Sequence, residues 1–254
     1  MNETRIDYKI PVEIDTEINE IFIKIIVTQN IKIIDDKLLN LKVYINRSIG
    51  KNFFSSFSVK IGDSIIYNSK VIKKIEKEEE TVKPISSENI IIYASNDSNI
   101  DVNLQNLPLD EEVIFTTEFI QFNKKSYEYI LLTKYPEFYC KSYNFKNELS
   151  RGKIIINTLN EILDVKKESF FRKLEIVEEK FLNDKNKNSY LIIYKLSIFC
   201  EEYIFEFEDN NPPKICFQLK ENENNAPIIY TQKSIFNPNQ RAYIINYENI
   251  IKKR

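Results

Sequence analysis

The feature that most constrains the fold is an alternation of apolar and polar residues between Val12 and Ile33. The apolar residues occupy even positions as far as Ile18 and odd positions from Ile21 onward. Because successive side chains of a strand point to opposite faces, one continuous strand cannot change phase in this way. The sequence therefore predicts two consecutive β-strands with one buried face, joined by a tight turn or a bulge at Asn19 and Glu20.

Similar short apolar alternations recur along most of the chain, separated by turn residues. Gly62 and Asp63 predict a two-residue turn between two strands, which makes that region a hairpin. Pro108 and Asp110 favour a turn between two further strands. The predicted strands lie at about residues 37–46, 56–61, 64–69, 88–95, 100–104, 113–115, 127–133, 153–159, 189–199, 202–208 and 214–219. This pattern predicts an all-β, mainly antiparallel protein with a β-sandwich and few short helices.

Three stretches depart from this pattern. Residues 70–81 mix apolar residues with many charges, which indicates a short exposed helix or a charged crossover loop. Aromatic-rich irregular chain surrounds Pro136, and we place a domain boundary at about residue 125, between parts 1–125 and 126–254. Residues 169–182 match helical spacing but also a short strand, and periodicity alone does not decide between them.

The composition excludes several classes of site. The chain has no histidine, so it can form neither a Ser-His-Asp relay nor a histidine metal site. Its three glycines, at positions 50, 62 and 152, cannot supply a glycine-rich nucleotide loop. We therefore expect no cofactor, no metal site, no catalytic residues and no enzymatic activity.

Charge and cysteine usage predict a cytoplasmic protein. The 36 basic and 38 acidic residues nearly balance, so no overall field attracts nucleic acid or an anionic membrane. No apolar run is long enough to span a membrane, and the amino terminus lacks the apolar core of a signal peptide. Cys140, Cys200 and Cys216 have no metal or redox spacing, which favours buried or partly buried free thiols in a reducing compartment.

The candidate motifs are weak. Asp97, Asn99 and Asp101 have the spacing that opens a calcium loop, but Val102 and Pro108 occupy its glycine and glutamate positions. Paired carboxylates could serve a hydrolase if a cleft brought them together, although adjacent residues of a strand face opposite ways. These pairs are Asp35 with Asp36, Glu111 with Glu112 and Glu201 with Glu202. The aromatic residues could form a stacking platform for single-stranded nucleic acid, but core packing explains most of them.

Residues 12–122 resemble the VIT domain, the vault and inter-alpha-trypsin inhibitor module. Three segments carry the resemblance: IKIIVTQNIKI with Thr28 and Gln29, FSSFSVKIGDSIIYNSKVI around Gly62, and IDVNLQNLPLDEEVIFTTEFIQF with Asn106, Leu107 and Pro108. Family glycines that flank the Asn-Leu-Pro turn are replaced here by Gln105 and Asp110. The part after residue 126 is similar to the β-rich region that follows VIT, and this similarity favours a strand over residues 173–181.

The resemblance implies a β-sandwich scaffold that mediates protein contacts and has no chemistry of its own. No Asp-x-Ser-x-Ser metal motif occurs in the sequence, so a von Willebrand A domain is absent from it. We therefore expect a non-enzymatic interaction module, whose partner is another protein and could be a separate von Willebrand A protein. The alternative is a carbohydrate-binding or carboxylate-dependent hydrolytic β-sandwich. We expect no nucleic-acid partner, and the oligomeric state is not predicted.

Overall fold

A computed structural model describes residues 5–19, 22–46, 48–49, 52–62, 64–69, 85–87, 90–93, 99–122, 127–132, 134–168, 174–196 and 213–220. These residues form 17 strands in three sheets, and the only helix among them is a three-residue 3-10 helix at Asp36–Leu38. The predicted all-β class is therefore confirmed.

The largest sheet has nine strands, in the order β15-β16-β13-β1-β2-β10-β5-β4, with β6 also paired to β5. Its strands are β1 (Ile6–Ile18), β2 (Phe22–Lys32), β4 (Ser48–Ile49), β5 (Asn52–Ile61), β6 (Ser64–Ser69), β10 (Glu112–Phe122), β13 (Tyr143–Asn157), β15 (Leu174–Phe181) and β16 (Ser189–Leu196). The five-stranded sheet, in the order β12-β3-β9-β8-β7, contains β3 (Leu41–Asn46), β7 (Ile85–Ser87), β8 (Ile90–Tyr93), β9 (Asn99–Leu104) and β12 (Glu137–Tyr139). The three-stranded sheet, in the order β11-β17-β14, contains β11 (Glu128–Ile130), β14 (Ile162–Glu168) and β17 (Lys214–Leu219).

The predicted pair of strands at the start of the chain is confirmed. β1 and β2 pair antiparallel, with Ile18 opposite Ile23, and the Asn19 N–H donates to the Phe22 carbonyl at 2.9 Å. The even residues of β1 from Ile10 onward and the odd residues of β2 share one buried face. The phase change in the sequence therefore marks the reversal of the chain between two strands of one sheet.

The other edge of β1 pairs parallel with β13, with Ile6 opposite Tyr143 and Ile18 opposite Ile156. All other described strand pairs are antiparallel. The prediction of a mainly antiparallel fold holds, but the large sheet is mixed. Ser150 is the extra residue of a bulge in β13, between partners of Val12 and Glu13, and its hydroxyl donates to the Val12 carbonyl at 3.0 Å.

Both smaller sheets contact the buried face of the large sheet. Phe115 of β10 packs edge to face on Phe138 of β12, with ring centroids 5.6 Å apart, and it stacks on Phe57 of β5 at 5.5 Å. The hydroxyls of Thr16 on β1 and Tyr129 on β11 lie 3.3 Å apart. The layers enclose one apolar core, in a sandwich-like arrangement, and these aromatic rings belong to that core instead of forming an exposed stacking platform.

The predicted turn between β9 and β10 is confirmed, and it carries the chain from the five-stranded sheet to the large one. Asn106 and Asp110 have φ values of 52° and 65°, a left-handed conformation that asparagine and aspartate tolerate better than most residues. Between them Leu107 is buried, and the Asp110 N–H donates to the Ile33 carbonyl at 2.7 Å. The turn is therefore anchored to both layers.

The predicted hairpin at Gly62 is confirmed by the pairing of the strands on either side of it, whereas Asp63 lies outside the described residues. β5 and β6 pair antiparallel with Ile61 opposite Ser64. Gly62 has a φ of 54°, and a Cβ atom there would lie 3.1 Å from a carboxylate oxygen of Glu111. Both the left-handed backbone and the close carboxylate favour glycine at this position.

Several predicted boundaries were wrong. The strand predicted over residues 37–46 begins only at Leu41, because Asp35 caps the 3-10 helix by accepting the Lys37 N–H at 3.0 Å. The irregular chain predicted around Pro136 contains β12 and the first half of β13, and β7 was not predicted either. The strand predicted at residues 153–159 overlaps the end of β13, which stops at Asn157, two residues earlier than predicted.

The ambiguous segment at residues 169–182 is a strand where it is described, since β15 pairs with β16. The helical interpretation is wrong for that part. Residues 169–173, the charged segment 70–81 and the predicted strand at 202–208 lie outside the described residues.

The sheets continue across the predicted domain boundary at residue 125. β12 and β13, which follow the boundary, pair with β3 and β1, which precede it. Gln29 adds a polar link, since its Nε2 donates to the Pro136 carbonyl at 2.9 Å and to Asn147 Oδ1 at 2.7 Å. The division into parts 1–125 and 126–254 stays a prediction, and any such parts share two sheets.

Candidate functional site

An open groove lies at one end of the five-stranded sheet, with a volume of about 460 Å³. This volume is within the range of roughly 300–1,000 Å³ that is usual for ligand sites. We call it the basic groove, and it is lined by Lys37, Asn40, Leu41, Lys42, Asn103, Leu104, Gln105, Tyr139, Cys140, Lys141 and Ser142. The groove therefore combines residues from four separate stretches of the chain: 37, 40–42, 103–105 and 139–142.

One wall of the basic groove is the 3-10 helix. The Asp35 side chain fixes its first turn through Oδ1, and Oδ2 of the same carboxylate accepts the Tyr143 hydroxyl at 2.6 Å. The Cys140 thiol donates to the Lys37 carbonyl at 3.1 Å. These contacts join the 3-10 helix to the turn that links β12 and β13, so Lys37 and Lys141 belong to one braced wall.

The turn between β9 and β10 supports the opposite side. The Leu107 N–H donates to the Leu39 carbonyl at 3.0 Å, and the Asn106 N–H contacts Asn40 Oδ1 at 3.4 Å. Of the three residues that carry the VIT resemblance here, Leu107 is buried, whereas Asn106 and Pro108 are exposed. Asn106, Leu107 and Pro108 therefore do not line the groove, but Asn106 and Leu107 hydrogen-bond to the segment that does.

The basic groove carries an excess of positive charge. Its eleven lining residues include Lys37, Lys42 and Lys141 and no carboxylate. Among the described residues none of these three ammonium groups forms an ion pair. The Asp35 carboxylate keeps its negative charge while it accepts two hydrogen bonds, but it is not a lining residue, so the lining itself carries three positive charges in a chain whose net charge is −2.

Beside the groove, the outer face of the five-stranded sheet presents two tyrosines. Tyr139 and Tyr44 are 38% and 37% exposed, and they lie in neighbouring cross-strand rows. Lys42 separates Tyr139 from Asn103 in the first row, and Glu137 and Asp101 flank Tyr44 in the second. The Arg5 guanidinium carbon lies 5.6 Å from the Tyr139 ring centroid, at cation–π distance. We call Tyr44, Tyr139, Lys42, Asn103, Glu137 and Asp101 together the tyrosine face.

Tyr143 lies beside the groove and has a raised pKa. Its hydrogen bond to the Asp35 carboxylate, together with burial, raises the pKa of Tyr143 to about 12. The folded pKa exceeds the ordinary value of about 10, so the stabilisation is complete below about pH 10 and is lost as the pH rises towards about 12. We expect Tyr143→Phe to lower the free energy of unfolding by about 1.5–3 kcal/mol at neutral pH, since the bond is to a charged acceptor.

Denaturant unfolding at a series of pH values measures this effect. The difference between wild type and Tyr143→Phe should shrink steadily above about pH 10. Tyr139→Phe is the matched control, because this tyrosine is exposed, and it should change stability by less than about 0.5 kcal/mol. A difference for Tyr143→Phe that stays constant up to about pH 12 contradicts the assignment.

The remaining predicted residues lie in the large sheet, away from the groove lining. Thr28 is half-buried on the outer face of β2, directly opposite Thr116 of β10. Gln29 is fully buried, and Gly62 follows Ile61, the last residue of β5. Asn99 and Asp101 of the rejected calcium motif belong to β9, whereas Asp97, Glu201 and Glu202 lie outside the described residues.

The described part of the chain contains no group of three or more acidic or cysteine side chains that could hold a metal ion. Its residues also include no helix that is both long and apolar enough to cross a membrane. Cys140 and Cys216 are free thiols, the first buried and the second half-buried.

The sequence did not predict either the basic groove or the tyrosine face. Lys37, Lys42 and Lys141 are three of many lysines, and only the pairing of β3 with β12 and β9 brings their segments together. The alternation in β3 did place Lys42 and Tyr44 on the exposed face, which was the one available signal.

Comparison with known proteins identifies no family. No family model and no curated protein matches the chain. Among solved structures, it is similar to the 35 kDa C-terminal fragment of the major pilin GBS80 of Streptococcus agalactiae, with 9% identity and a TM-score of 0.29, over 75% of this chain and 80% of that one. It is also similar to the full-length major pilin SpaD from Corynebacterium diphtheriae, with 11% identity and a TM-score of 0.28, over 82% of this chain and 53% of that one. Both likenesses are too distant to support an argument about fold or function.

Proposed function

We propose that this chain is a non-enzymatic protein-interaction module whose contact surface is the tyrosine face. The observation that carries the proposal is the pair of exposed tyrosines in neighbouring rows, with Arg5 over one of the rings. Tyrosine and arginine are enriched at the centres of protein interfaces, where a rigid ring supplies contact area at low entropic cost. The charged residues around Tyr44 would form the polar rim of such an interface.

The VIT resemblance supports the same function, since it implies a scaffold that mediates protein contacts. Under this proposal the chain is a VIT-like module with a β-rich extension, it works in the cytoplasm, and a separate von Willebrand A protein is the first partner to test. The free Cys140 thiol, which donates to a backbone carbonyl, is compatible with a reducing compartment.

Affinity capture from an extract of the source cells tests the proposal. We expect the wild-type chain to retain at least one partner in stoichiometric amount, and the double variant Tyr44→Ser, Tyr139→Ser to lose it. The matched control is Leu163→Ser, Val177→Ser, which removes two apolar side chains that are exposed elsewhere on the surface. Retention of the same proteins by the tyrosine variant, or retention of none by the wild type, contradicts the proposal.

A second candidate is carbohydrate binding. The tyrosine face and the neighbouring Asn40 and Gln105 offer exposed rings together with amide groups, a combination that suits sugar rings and hydroxyls. Glu137 and Asp101 are the two carboxylates of the tyrosine face, and they lie on the strands at either side of β3. Their Cα atoms are two strand spacings of about 4.8 Å apart, or roughly 10 Å. A glycan array that shows binding by the wild type and none by the tyrosine variant would favour this candidate.

A further inference from the structure

We infer that the basic groove receives a carboxylate-rich segment of the partner polypeptide, so that the groove and the tyrosine face bind one continuous ligand. This inference rests on the proposed function and specifies the chemistry of the partner. The geometry behind it is the convergence of Lys37, Lys42 and Lys141 in a recess that has no lining carboxylate.

The groove offers hydrogen-bond donors as well as charge. Each lysine ammonium presents three N–H donors, and the side chains of Asn40, Asn103, Gln105, Ser142 and Tyr139 line the same recess. A carboxylate accepts hydrogen bonds through two oxygens and does not require the planar guanidinium group of an arginine. Separate lysine ammonium groups therefore suit several carboxylates in succession. Lys37 of the 3-10 helix and Lys141 of the turn after β12 belong to one wall of the recess, and Lys42 lies on β3.

Continuity with the tyrosine face argues that the ligand is a polypeptide. Lys42 lines the groove and also stands between Tyr139 and Asn103 in the first row of the face. A segment that places its acidic residues in the groove would therefore pass directly over Tyr139. The ring would supply apolar contact area while the lysines pair with carboxylates.

The charges around the groove disfavour a nucleic-acid strand. Glu137 and Asp101 occupy the second row, immediately beyond Lys42 and Tyr139. A phosphate backbone that continued from the groove across the face would meet these two carboxylates, and the like charges would repel. A polypeptide can instead place a basic or neutral residue at that row, whereas every nucleotide of a strand carries a phosphate, so the second row disfavours a nucleic acid more than a polypeptide.

The test uses the full chain and a fluorescently labelled hexaglutamate peptide, with binding followed by fluorescence anisotropy at low salt. Hexaglutamine and hexalysine of the same length are the reference peptides. We expect hexaglutamate alone to bind, and its binding to weaken strongly as the salt concentration rises and the Debye length falls to a few ångströms. The double variant Lys42→Ser, Lys141→Ser should weaken binding about tenfold, since each exposed ion pair contributes about threefold.

Two further variants make the result specific. Lys42→Arg, Lys141→Arg keeps the charge and should bind hexaglutamate to within about threefold of wild type. Lys166→Ser, Lys185→Ser removes two exposed lysines outside the groove and should leave binding unchanged. Unfolding curves of all variants establish that they fold as the wild type does.

Three results overturn the inference: no binding of hexaglutamate by the wild type, equal weakening by the groove pair and the control pair, or tighter binding of a hexathymidylate strand than of hexaglutamate. Complete competition by inorganic phosphate at equimolar concentration would also overturn it, because the groove would then be a site for a single small anion. Capture of a partner through the tyrosine face, with no hexaglutamate binding, means that this inference fails and the proposed function stands.

Discussion

Gly152→Ala should lower the free energy of unfolding by about 3–5 kcal/mol, the loss expected when a large buried aromatic side chain is displaced. Gly152 of β13 lies directly opposite Tyr194 of β16, and the tyrosine ring covers the glycine. A Cβ atom at position 152 would lie 2.0 Å from Tyr194 Cζ and 2.3 Å from Cε2. The tyrosine is only 1% exposed, and at these distances either the ring or the backbone must shift.

A double-mutant cycle measured by chemical denaturation separates this steric effect from a general intolerance of the strand. In a Tyr194→Ala background the ring is gone, and Gly152→Ala should become neutral or stabilising by about 0.5 kcal/mol, since alanine suits a strand better than glycine. Arg151→Ala, an exposed neighbour, should change stability by less than about 0.5 kcal/mol. The same large loss in the Tyr194→Ala background would show that the ring is not the cause.

Gln29→Glu should be the second strongly destabilising change, costing about 3–5 kcal/mol at neutral pH. Gln29 is fully buried, and its Nε2 donates to the Pro136 carbonyl and to Asn147 Oδ1. Within the described structure Gln29 Oε1 has no hydrogen-bond partner. A glutamate would lose both donated bonds, face the Pro136 carbonyl with a negative charge, and be unable to reach water.

The pH dependence identifies the buried charge as the cause. Burial raises the pKa of the new carboxyl above its unfolded value of about 4.3, so the variant should approach wild-type stability below about pH 4 and lose stability as the pH rises through the folded pKa. Gln29→Leu is the uncharged comparison, with a loss of about 1–3 kcal/mol that does not vary with pH. Denaturant unfolding at several pH values checks both variants, and a Gln29→Glu penalty that is equal at about pH 4 and pH 8 contradicts the account.

The alternation of apolar and polar residues predicted well which face of each strand is buried, because only every second side chain of a strand faces the core. The even residues of β1 from Val12 onward, the odd residues of β2 and the residues Ile215, Phe217 and Leu219 of β17 are buried as expected, as are the apolar residues of β3. The reversal at Asn19 was readable because it leaves the two phases on either side intact. The same logic failed in β13, where the bulge at Ser150 shifts the phase within one strand and makes its first half look irregular.

Pairing partners were not predictable from alternation. β1 lies between β2, its neighbour in sequence, and β13, which comes much later in the chain. Ile6 of β1 is paired with Tyr143 of β13. Nothing in a strand's own residues specifies which distant strand will add to its free edge. The basic groove depends on the same kind of pairing, since β12 brings Tyr139 and Lys141 beside Lys42 only through its ladder with β3. The candidate site was therefore less predictable than the fold class.

The position of β1 between β2 and β13 also sets the order in which these strands can pair during synthesis. During synthesis β1 can pair with β2 as soon as both strands leave the ribosome. The other edge of β1 stays unpaired until β13 has been translated. An uncovered edge of this length is a template for association with other chains, so the interval before β13 arrives is when a chaperone matters most. Because the loop between β1 and β13 is long, we expect the parallel pairing of these strands to form late in folding.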